Sequence, residues 1–177
     1  VVLFKGVTSS GKTEIYIELI KEIISKKLNV LFLVPEIALT TQLVSRLQSY
    51  FPTNLHVYHS GINPNLRYEI WNDLNHTNKP KVILGARSSI FLPFKNLGLI
   101  IVDEENEVSY KQFESRPLYN ARDLSVYLSK KMNSKCILAS ATPSIESFNN
   151  SQIDKYSLIE LNKRFGDFEP PELIFTN

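Results

Sequence analysis

Short apolar runs alternate along this chain with segments whose apolar residues recur at helical spacing. Strands that are covered on both faces are apolar throughout rather than at every second position. The runs therefore predict buried strands at residues 1–4, 29–34, 55–58, 81–84, 97–102 and 135–140. The intervening segments predict helices at about residues 14–27, 37–51, 65–75 and 119–132. Alternating strands and helices are typical of an α/β domain, in which a mostly parallel sheet carries helices on both faces.

A glycine-containing loop is predicted between the first strand and the first helix. Residues 6–13, Gly-Val-Thr-Ser-Ser-Gly-Lys-Thr, match the phosphate-binding pattern G-x-x-x-x-G-K-[ST] at every fixed position. Glycines let the backbone wrap around a phosphate, and the amides that begin the next helix attract it. The expected nucleotide site comprises Gly6, Thr8, Ser9, Ser10, Gly11, Lys12, Thr13 and Glu14. We expect Lys12 to contact the terminal phosphates of ATP and Thr13 to ligate Mg²⁺; an ordinary strand-to-helix turn is the alternative.

The predicted strand at residues 97–102 leads directly into the acidic sequence Asp103-Glu104-Glu105. In a chain that carries a phosphate loop, an aspartate at the end of a buried strand is the expected partner of Mg²⁺, acting through water. Glu104 would then orient and deprotonate the attacking water, which makes Glu104 and Lys12 the expected catalytic residues. Alternatively, the acidic residues cap the segment that follows.

Polar residues also follow three other predicted strands. In parallel sheets, ligands bind at the carboxyl ends of the strands, and short hydroxyl and cationic side chains are suited to contacts with a DNA backbone. Candidate DNA contacts are Thr40 after the second strand and Arg87 and Ser88 after the fourth. Ser140 and Thr142 after the sixth strand could link the γ-phosphate site to the nucleic-acid site. A helix start or a strand-to-helix turn is the alternative at each of these places.

Composition limits the function without identifying it. The 177 residues suffice for one domain with a full core, and 43% hydrophobic and 21% charged residues are typical of a globular protein. The formal charge of +2 neither requires nor excludes a nucleic-acid partner. Cys136 is the only cysteine, so the chain has no internal disulfide and no cysteine zinc site, and we expect Cys136 in a buried strand. The sequence has no apolar run long enough to span a membrane.

Several segments together resemble superfamily 2 helicases: residues 6–13 (motif I), 33–40 (Ia), 85–91 (Ib), 103–106 (II) and 140–142 (III). Two further segments, SYKQ at 109–112 and YNARD at 119–123, are more specific than these general motifs. They resemble the bacterial PriA family of replication-restart helicases. This resemblance covers essentially the whole chain. It implies a RecA-like P-loop NTPase fold and the first motor lobe of an ATP-dependent 3′–5′ DNA helicase. Such helicases act at stalled or branched replication forks and start primosome assembly.

The resemblance also carries expectations about organisation and partners. Residues 1–164 would form the ATP-binding lobe, and residues 165–177 would form an exit linker toward a second lobe, so the chain is expected to be a piece of a longer protein. The family's partners are branched and single-stranded DNA, other primosome proteins and single-stranded DNA-binding protein, in the bacterial cytoplasm and nucleoid, with no membrane. Zinc belongs to other parts of the family protein. The lobe alone is expected to be a nearly inactive monomer, because the second lobe supplies an arginine that stabilises the transition state.

Residues 109–122 resemble an aromatic-rich loop that couples DNA binding to ATP hydrolysis in this family. Tyr110, Lys111 and Arg122 are candidates for base stacking and phosphate contacts, and a loop packed on the domain is the alternative. Asn106 and Asn120 replace histidines of the family pattern, which affects the expected coupling but leaves Asp103 and Glu104 intact. Two further functions stay open: the motor lobe of a double-stranded DNA translocase, and a nucleotide-switched DNA-binding module.

Overall fold

The computed structural model describes residues 1–8, 10–114 and 116–163, so Ser9 and the expected linker at 165–177 lie outside the described residues. The strands are β1 (Val2–Gly6), β2 (Asn29–Leu33), β3 (Leu55–Tyr58), β4 (Val82–Gly85), β5 (Leu97–Asp103), β6 (Lys135–Ser140) and β7 (Ser157–Leu161). The α-helices are α1 (Lys12–Ser25), α2 (Thr41–Tyr50), α3 (Pro64–His76), α4 (Ala121–Met132) and α5 (Ile145–Gln152).

The seven strands form one sheet in the order β3-β4-β2-β5-β6-β1-β7. Every neighbouring pair is parallel. All strands therefore end at the same edge of the sheet, and the segments that follow them meet there. The α/β class and the parallel sheet predicted from the sequence are confirmed.

The core has two layers, one on each face of the sheet. Along β5, Leu99 and Ile101 face the layer that contains the buried residues of α1 and α2. Ile100 and Val102 face the other layer, which contains residues of α3 and α4. Because both faces are covered, β5 is buried from Leu97 to Val102, which explains its unbroken apolar sequence.

Three elements of the observed fold differ from the prediction. The helix predicted at residues 37–51 is a short 3₁₀ turn, Glu36–Ala38, followed by α2. Thr40 caps α2, because its hydroxyl accepts a hydrogen bond of 3.3 Å from the amide of Leu43. Neither α5 nor β7, which is an exposed edge strand with no apolar alternation, was predicted from the sequence. No helix in the described part of the chain is long and apolar enough to cross a membrane.

Candidate nucleotide site and neighbouring surface

The predicted phosphate loop lies between β1 and α1, and two glycines determine its shape. Gly11 has φ +86°, a left-handed conformation that other residues rarely adopt, and it immediately precedes α1. At Gly6, a Cβ atom would lie 3.0 Å from Cδ of Lys12 and 3.1 Å from Oγ of Ser10. The loop backbone is therefore packed directly against the side chains that begin α1, as the sequence pattern requires.

Lys12 bends back over the loop. Its Nζ donates a hydrogen bond of 2.8 Å to the carbonyl of Gly6 and lies 3.7 Å from Oε1 of Glu104. Only 12% of the Lys12 side chain is exposed. The structure thus places the ammonium group between the phosphate loop and the end of β5.

The loop has donors that fit a bound phosphate. Oγ of Ser10 is buried without a hydrogen-bond partner among the described residues, and such orphaned polar atoms are rare in folded proteins. The first amides of α1, including those of Lys12 and Thr13, have no partner within the helix and attract anions. The residues present therefore fit a nucleotide phosphate with its Mg²⁺, for which the Thr13 hydroxyl is a candidate ligand.

Two other residues of the predicted site lie at its margin. Thr8 is exposed in the loop. The carboxylate of Glu14 forms an ion pair with Arg46 of α2, and its amide donates a 3.0 Å hydrogen bond to the carbonyl of Gly11. Both polar parts of Glu14 are thus engaged within the protein, and its contact with a nucleotide stays a prediction.

Asp103 ends β5 and is held by two tyrosines. The hydroxyl of Tyr16, from α1, donates a 2.9 Å hydrogen bond to Oδ1 of Asp103. The hydroxyl of Tyr110 donates one of 2.6 Å to the Asp103 backbone carbonyl. Burial raises the pKa of the Asp103 carboxyl above its ordinary value, and the bond from Tyr16 opposes that rise. The predicted magnesium partner is therefore a partly buried carboxylate with a dedicated donor.

Glu104 connects the phosphate loop to the end of β6. Its backbone has φ 47°, an uncommon conformation for a residue other than glycine, as the chain turns out of β5. Oε2 of Glu104 accepts a 3.2 Å hydrogen bond from the Ser140 hydroxyl, which also lies 2.7 Å from Oδ1 of Asn106. The amide of Thr142 donates to the same Ser140 hydroxyl. Ser140 thus links the predicted base to the turn that leaves β6.

Glu105 forms a buried network that the sequence did not predict. Its side chain is 0% exposed and its Oε2 lies 3.3 Å from Nη1 of Arg122. It also accepts hydrogen bonds from the amide of Ser144 at 2.6 Å and from the hydroxyl of Ser147 at 2.9 Å. Ser144 caps α5. One carboxylate therefore ties the end of β5 to the starts of α4 and α5.

Three of the candidates for DNA contact or coupling have side chains that the protein largely covers, which disfavours direct contact and leaves their role in coupling as a prediction. Tyr110 is 1% exposed, so its ring is covered by the protein and cannot stack on a base in this conformation. Ser140 is 0% exposed and bonds to Glu104. Arg122 is committed to Glu105, to Ser144 and to Asp123 on its own helix. The sequence of a loop does not show which of its aromatic and basic residues are buried in the fold.

The remaining predicted contacts reach the surface at the carboxyl edge of the sheet. Thr40, Lys111 and Thr142 are exposed, and Arg87 and Ser88 are partly exposed. Arg87 donates to the carbonyl of Lys111 at 2.8 Å and to that of Ser109 at 3.3 Å, which attaches the turn after β4 to the loop after β5. These residues lie on the segments that follow β2, β4, β5 and β6.

One aromatic ring lies beside each of the two basic side chains, Arg87 and Lys111. Nζ of Lys111 lies 4.9 Å from the centre of the Phe113 ring, and the guanidinium of Arg87 lies 5.9 Å from that of Tyr119. Phe91 packs edge-on against Tyr119, with ring centres 4.8 Å apart. Phe91 and Phe113 are 58% and 59% exposed, which is unusual for phenylalanine. The combination of exposed rings and cations is suited to single-stranded nucleic acid.

Asn120 stands where the family pattern has histidine, and its role here is structural. Its side chain accepts a 2.9 Å hydrogen bond from the amide of Arg122 and caps α4. Its backbone forms an antiparallel bridge with Lys111. The loop that carries Phe113 is therefore closed at its base, directly beside the start of α4.

Comparison with known proteins gives consistent results. Residues 1–150 match the model of the DEAD/DEAH box helicase family. Replication restart protein PriA of Bacillus subtilis is 41% identical over 173 residues, which are 98% of this chain and 21% of the relative. PriA of Haemophilus influenzae is 46% identical over 165 residues, which are 93% of this chain and 22% of the relative. The chain thus spans about a fifth of the length of these relatives.

Solved structures share the fold. RecG bound to a three-way DNA junction superposes with a TM-score of 0.65 at 22% identity, over 94% of this chain and 21% of that protein. The helicase MrfA bound to DNA gives a TM-score of 0.64 at 17% identity, over 92% of this chain and 25% of that protein. At these identities the likeness concerns the fold alone, and it confirms the expected RecA-like architecture.

Proposed function

Because this chain belongs to the DEAD/DEAH box helicase family, we propose that it is the ATP-binding lobe of an ATP-dependent 3′–5′ DNA helicase. The observation that carries the proposal is the meeting of Lys12, Glu104 and Ser140 at one edge of the sheet. The basic and aromatic surface of Lys111 and Phe113 follows the same strand as Glu104. Similarity to PriA of Bacillus subtilis, a replication restart protein, supports action at stalled or branched replication forks.

The proposed chemistry assigns one task to each residue. Bound ATP with Mg²⁺ would supply the γ-phosphoryl group whose transfer to water releases free energy. Lys12 would bind the β- and γ-phosphates, and Thr13 and Asp103 would hold the metal, Asp103 through water. Glu104 orients the attacking water and accepts its proton. Ser140 keeps the carboxylate of Glu104 in place through its 3.2 Å hydrogen bond.

DNA is the proposed second substrate. Thr40, Arg87, Ser88, Lys111 and Thr142 would contact the phosphate backbone, since all five lie at the edge where the nucleotide site is. Exposed Phe91 and Phe113 would stack on unpaired bases. RecG and MrfA, which share the fold, were solved bound to DNA, and this supports the same class of partner here.

The wider setting is proposed from the same similarity. In the full-length protein, this lobe would work with a second motor lobe, other primosome proteins and single-stranded DNA-binding protein, in the bacterial cytoplasm and nucleoid. We propose residues 1–164 as the ATP-binding lobe, acting as a monomer, and residues 165–177 as the linker to the second lobe. Zinc would be bound only by other parts of the full-length protein.

The test uses the full-length protein that carries this lobe. Steady-state ATP hydrolysis is measured with and without forked DNA, and unwinding is measured on duplexes with a 3′ or a 5′ single-stranded tail. We expect DNA-stimulated hydrolysis and unwinding from the 3′ tail, and Lys12→Ala should abolish both without lowering the melting temperature. Stimulation by blunt duplex without unwinding would identify a translocase. Nucleotide-dependent DNA binding without turnover would identify a switch module and overturn the proposal.

A further inference from the structure

Tyr16 is a buried tyrosine whose hydroxyl reaches the predicted metal site. Its side chain is 0% exposed, and its ring packs edge-on against Phe4 and Phe32, with ring centres 6.3 Å and 5.3 Å away. The hydroxyl donates a 2.9 Å hydrogen bond to Oδ1 of Asp103. The ring contacts fix the position of the donor, because a tightly packed aromatic ring has little freedom to turn.

The acceptor of the Tyr16 hydroxyl is a carboxylate rather than a backbone carbonyl. A buried tyrosine hydroxyl needs an acceptor, and a backbone carbonyl would satisfy it. The backbone carbonyl of Asp103 is instead occupied by Tyr110, at 2.6 Å, and Tyr16 takes the carboxylate. The two tyrosines therefore control different parts of Asp103: Tyr110 fixes its backbone, and Tyr16 fixes its side chain.

The position of Tyr16 on α1 connects it to the phosphate loop. Thr13, the proposed direct ligand of Mg²⁺, lies three residues before Tyr16, and residues three apart lie on the same side of a helix. One helix thus carries both the hydroxyl that would bind the metal and the hydroxyl that holds the water-mediated partner. A change in the position of α1 would move both groups together.

We propose that Tyr16 is a positioning residue of the metal site, which holds the Asp103 carboxylate in the orientation that receives the hydration shell of Mg²⁺ bound with the nucleotide. This inference rests on the proposed function. Partners behind a metal-binding group commonly change metal affinity by about 10- to 100-fold when they are removed. The hydroxyl also offsets the burial of a charged carboxylate, which without a donor is unfavourable.

The test measures the Mg²⁺ dependence of nucleotide binding, with no need for turnover. Binding of a fluorescent ADP analogue to the full-length protein is followed in EDTA and across a Mg²⁺ titration. Tyr16→Phe keeps the ring and removes only the hydroxyl. We expect unchanged affinity for the nucleotide in EDTA. The Mg²⁺ concentration that gives half of the Mg²⁺-dependent change in nucleotide affinity should rise about tenfold. The matched control is Tyr156→Phe, which removes the hydroxyl of another buried tyrosine, in the core layer on the other face of the sheet, and should leave the Mg²⁺ titration near that of the wild type.

A double-mutant cycle with Asp103→Asn makes the test specific. If Tyr16 acts through Asp103, adding Tyr16→Phe to Asp103→Asn should change the Mg²⁺ titration no further. The cycle also stays informative if Tyr16→Phe alone is unstable, because the Asp103→Asn background leaves no buried charge without its donor. Thermal unfolding of each variant without ligand reports whether the fold is retained.

Three results would overturn the inference. These are an unchanged Mg²⁺ titration in Tyr16→Phe, an equal effect of Tyr156→Phe, and additive effects of Tyr16→Phe and Asp103→Asn. A failure of the proposed function looks different, since the wild-type protein itself would then show no nucleotide binding, or binding that Mg²⁺ does not change. In that case Tyr16 has no metal site to position, and the inference fails together with the function.

Discussion

Nζ of Lys12 lies 3.7 Å from Oε1 of Glu104, which joins the phosphate loop to the acidic end of β5. The cation expected on the phosphates and the carboxylate expected to take a proton are therefore neighbours across the site. The Ser140 hydroxyl lies 3.2 Å from the other carboxylate oxygen of Glu104. The geometry separates two tasks, phosphate binding by Lys12 and proton transfer by Glu104, that substitution can distinguish.

Glu104→Gln should bind nucleotide with Mg²⁺ as tightly as the wild type and hydrolyse ATP about 10²- to 10⁴-fold more slowly, because the amide cannot accept the proton of water. Equilibrium binding and single-turnover hydrolysis by the full-length protein measure the two effects. Glu107→Gln is the control, since Glu107 is an exposed acid of the same segment. If binding and turnover fell together, Glu104 would be a structural or metal-binding residue.

Arg122→Gln should lower the free energy of unfolding by about 3 kcal/mol, since it leaves the fully buried carboxylate of Glu105 without its cation. The hydroxyls of Ser144 and Ser147 still donate to Glu105 and keep the loss at that level. Urea denaturation measures it. Asp123→Asn is the matched control, because it removes the exposed partner of the same arginine and should cost less than about 1 kcal/mol. Equal losses for both variants would show that the buried ion pair of Arg122 with Glu105 stabilises the fold no more than the exposed pair of Arg122 with Asp123.

The Glu105 network shows where sequence reasoning ends. Asp103, Glu104 and Glu105 are three similar acids in a row, and the pattern predicts a site without showing which acid is buried. The burial of Glu105 depends on Ser144 and Ser147, about forty residues later in the chain. These two residues lie next to Glu105 because β6, which precedes them, pairs with β5. The phosphate loop was predictable because its glycine, lysine and threonine lie within a single short segment.

The aromatic loop shows the same limit at closer range. Tyr110 and Phe113 are three residues apart, and the sequence gives both the character of a stacking residue. The structure buries Tyr110 against the backbone of Asp103 and leaves Phe113 59% exposed beside Lys111. Local composition therefore predicts an aromatic surface here, while the hydrogen bond from Tyr110 to the end of β5 decides which ring is buried.

Phe113→Ala should lower DNA-stimulated ATP hydrolysis while basal hydrolysis and stability stay near the wild type, because an exposed ring stacks only when DNA is bound. Base stacking on one ring is worth about 1–3 kcal/mol, or roughly 5- to 150-fold in affinity for single-stranded DNA. Tyr110→Ala is the comparison. It should lower the free energy of unfolding by about 3 kcal/mol or more, since it removes a fully buried ring. Equal losses of basal and stimulated hydrolysis in Phe113→Ala would assign that ring to packing.

His56 lies in a cluster of charged residues at the far side of the sheet. Its Nε2 is 3.5 Å from Nζ of Lys81, which forms a 2.8 Å ion pair with Asp73 of α3. Burial, and after it the charge of Lys81, lowers the pKa of His56 below its ordinary value. The hydrogen bond from Lys81 lowers the pKa of Asp73, which therefore stays ionised in mildly acidic solution.

The lowered pKa of His56 makes stability depend on pH in a defined direction. Below about pH 6.5 the unfolded chain binds a proton at this histidine that the native protein resists, so stability falls as the pH decreases. His56→Gln should therefore lose less stability than the wild type between about pH 7.5 and pH 5.5, as measured by urea denaturation at both pH values. Asp103, whose raised pKa acts in the opposite direction, is present in both proteins and cancels in the comparison. His76→Gln, at an exposed position of α3, is the control, and an equal pH dependence in His56→Gln and the wild type would contradict the assignment.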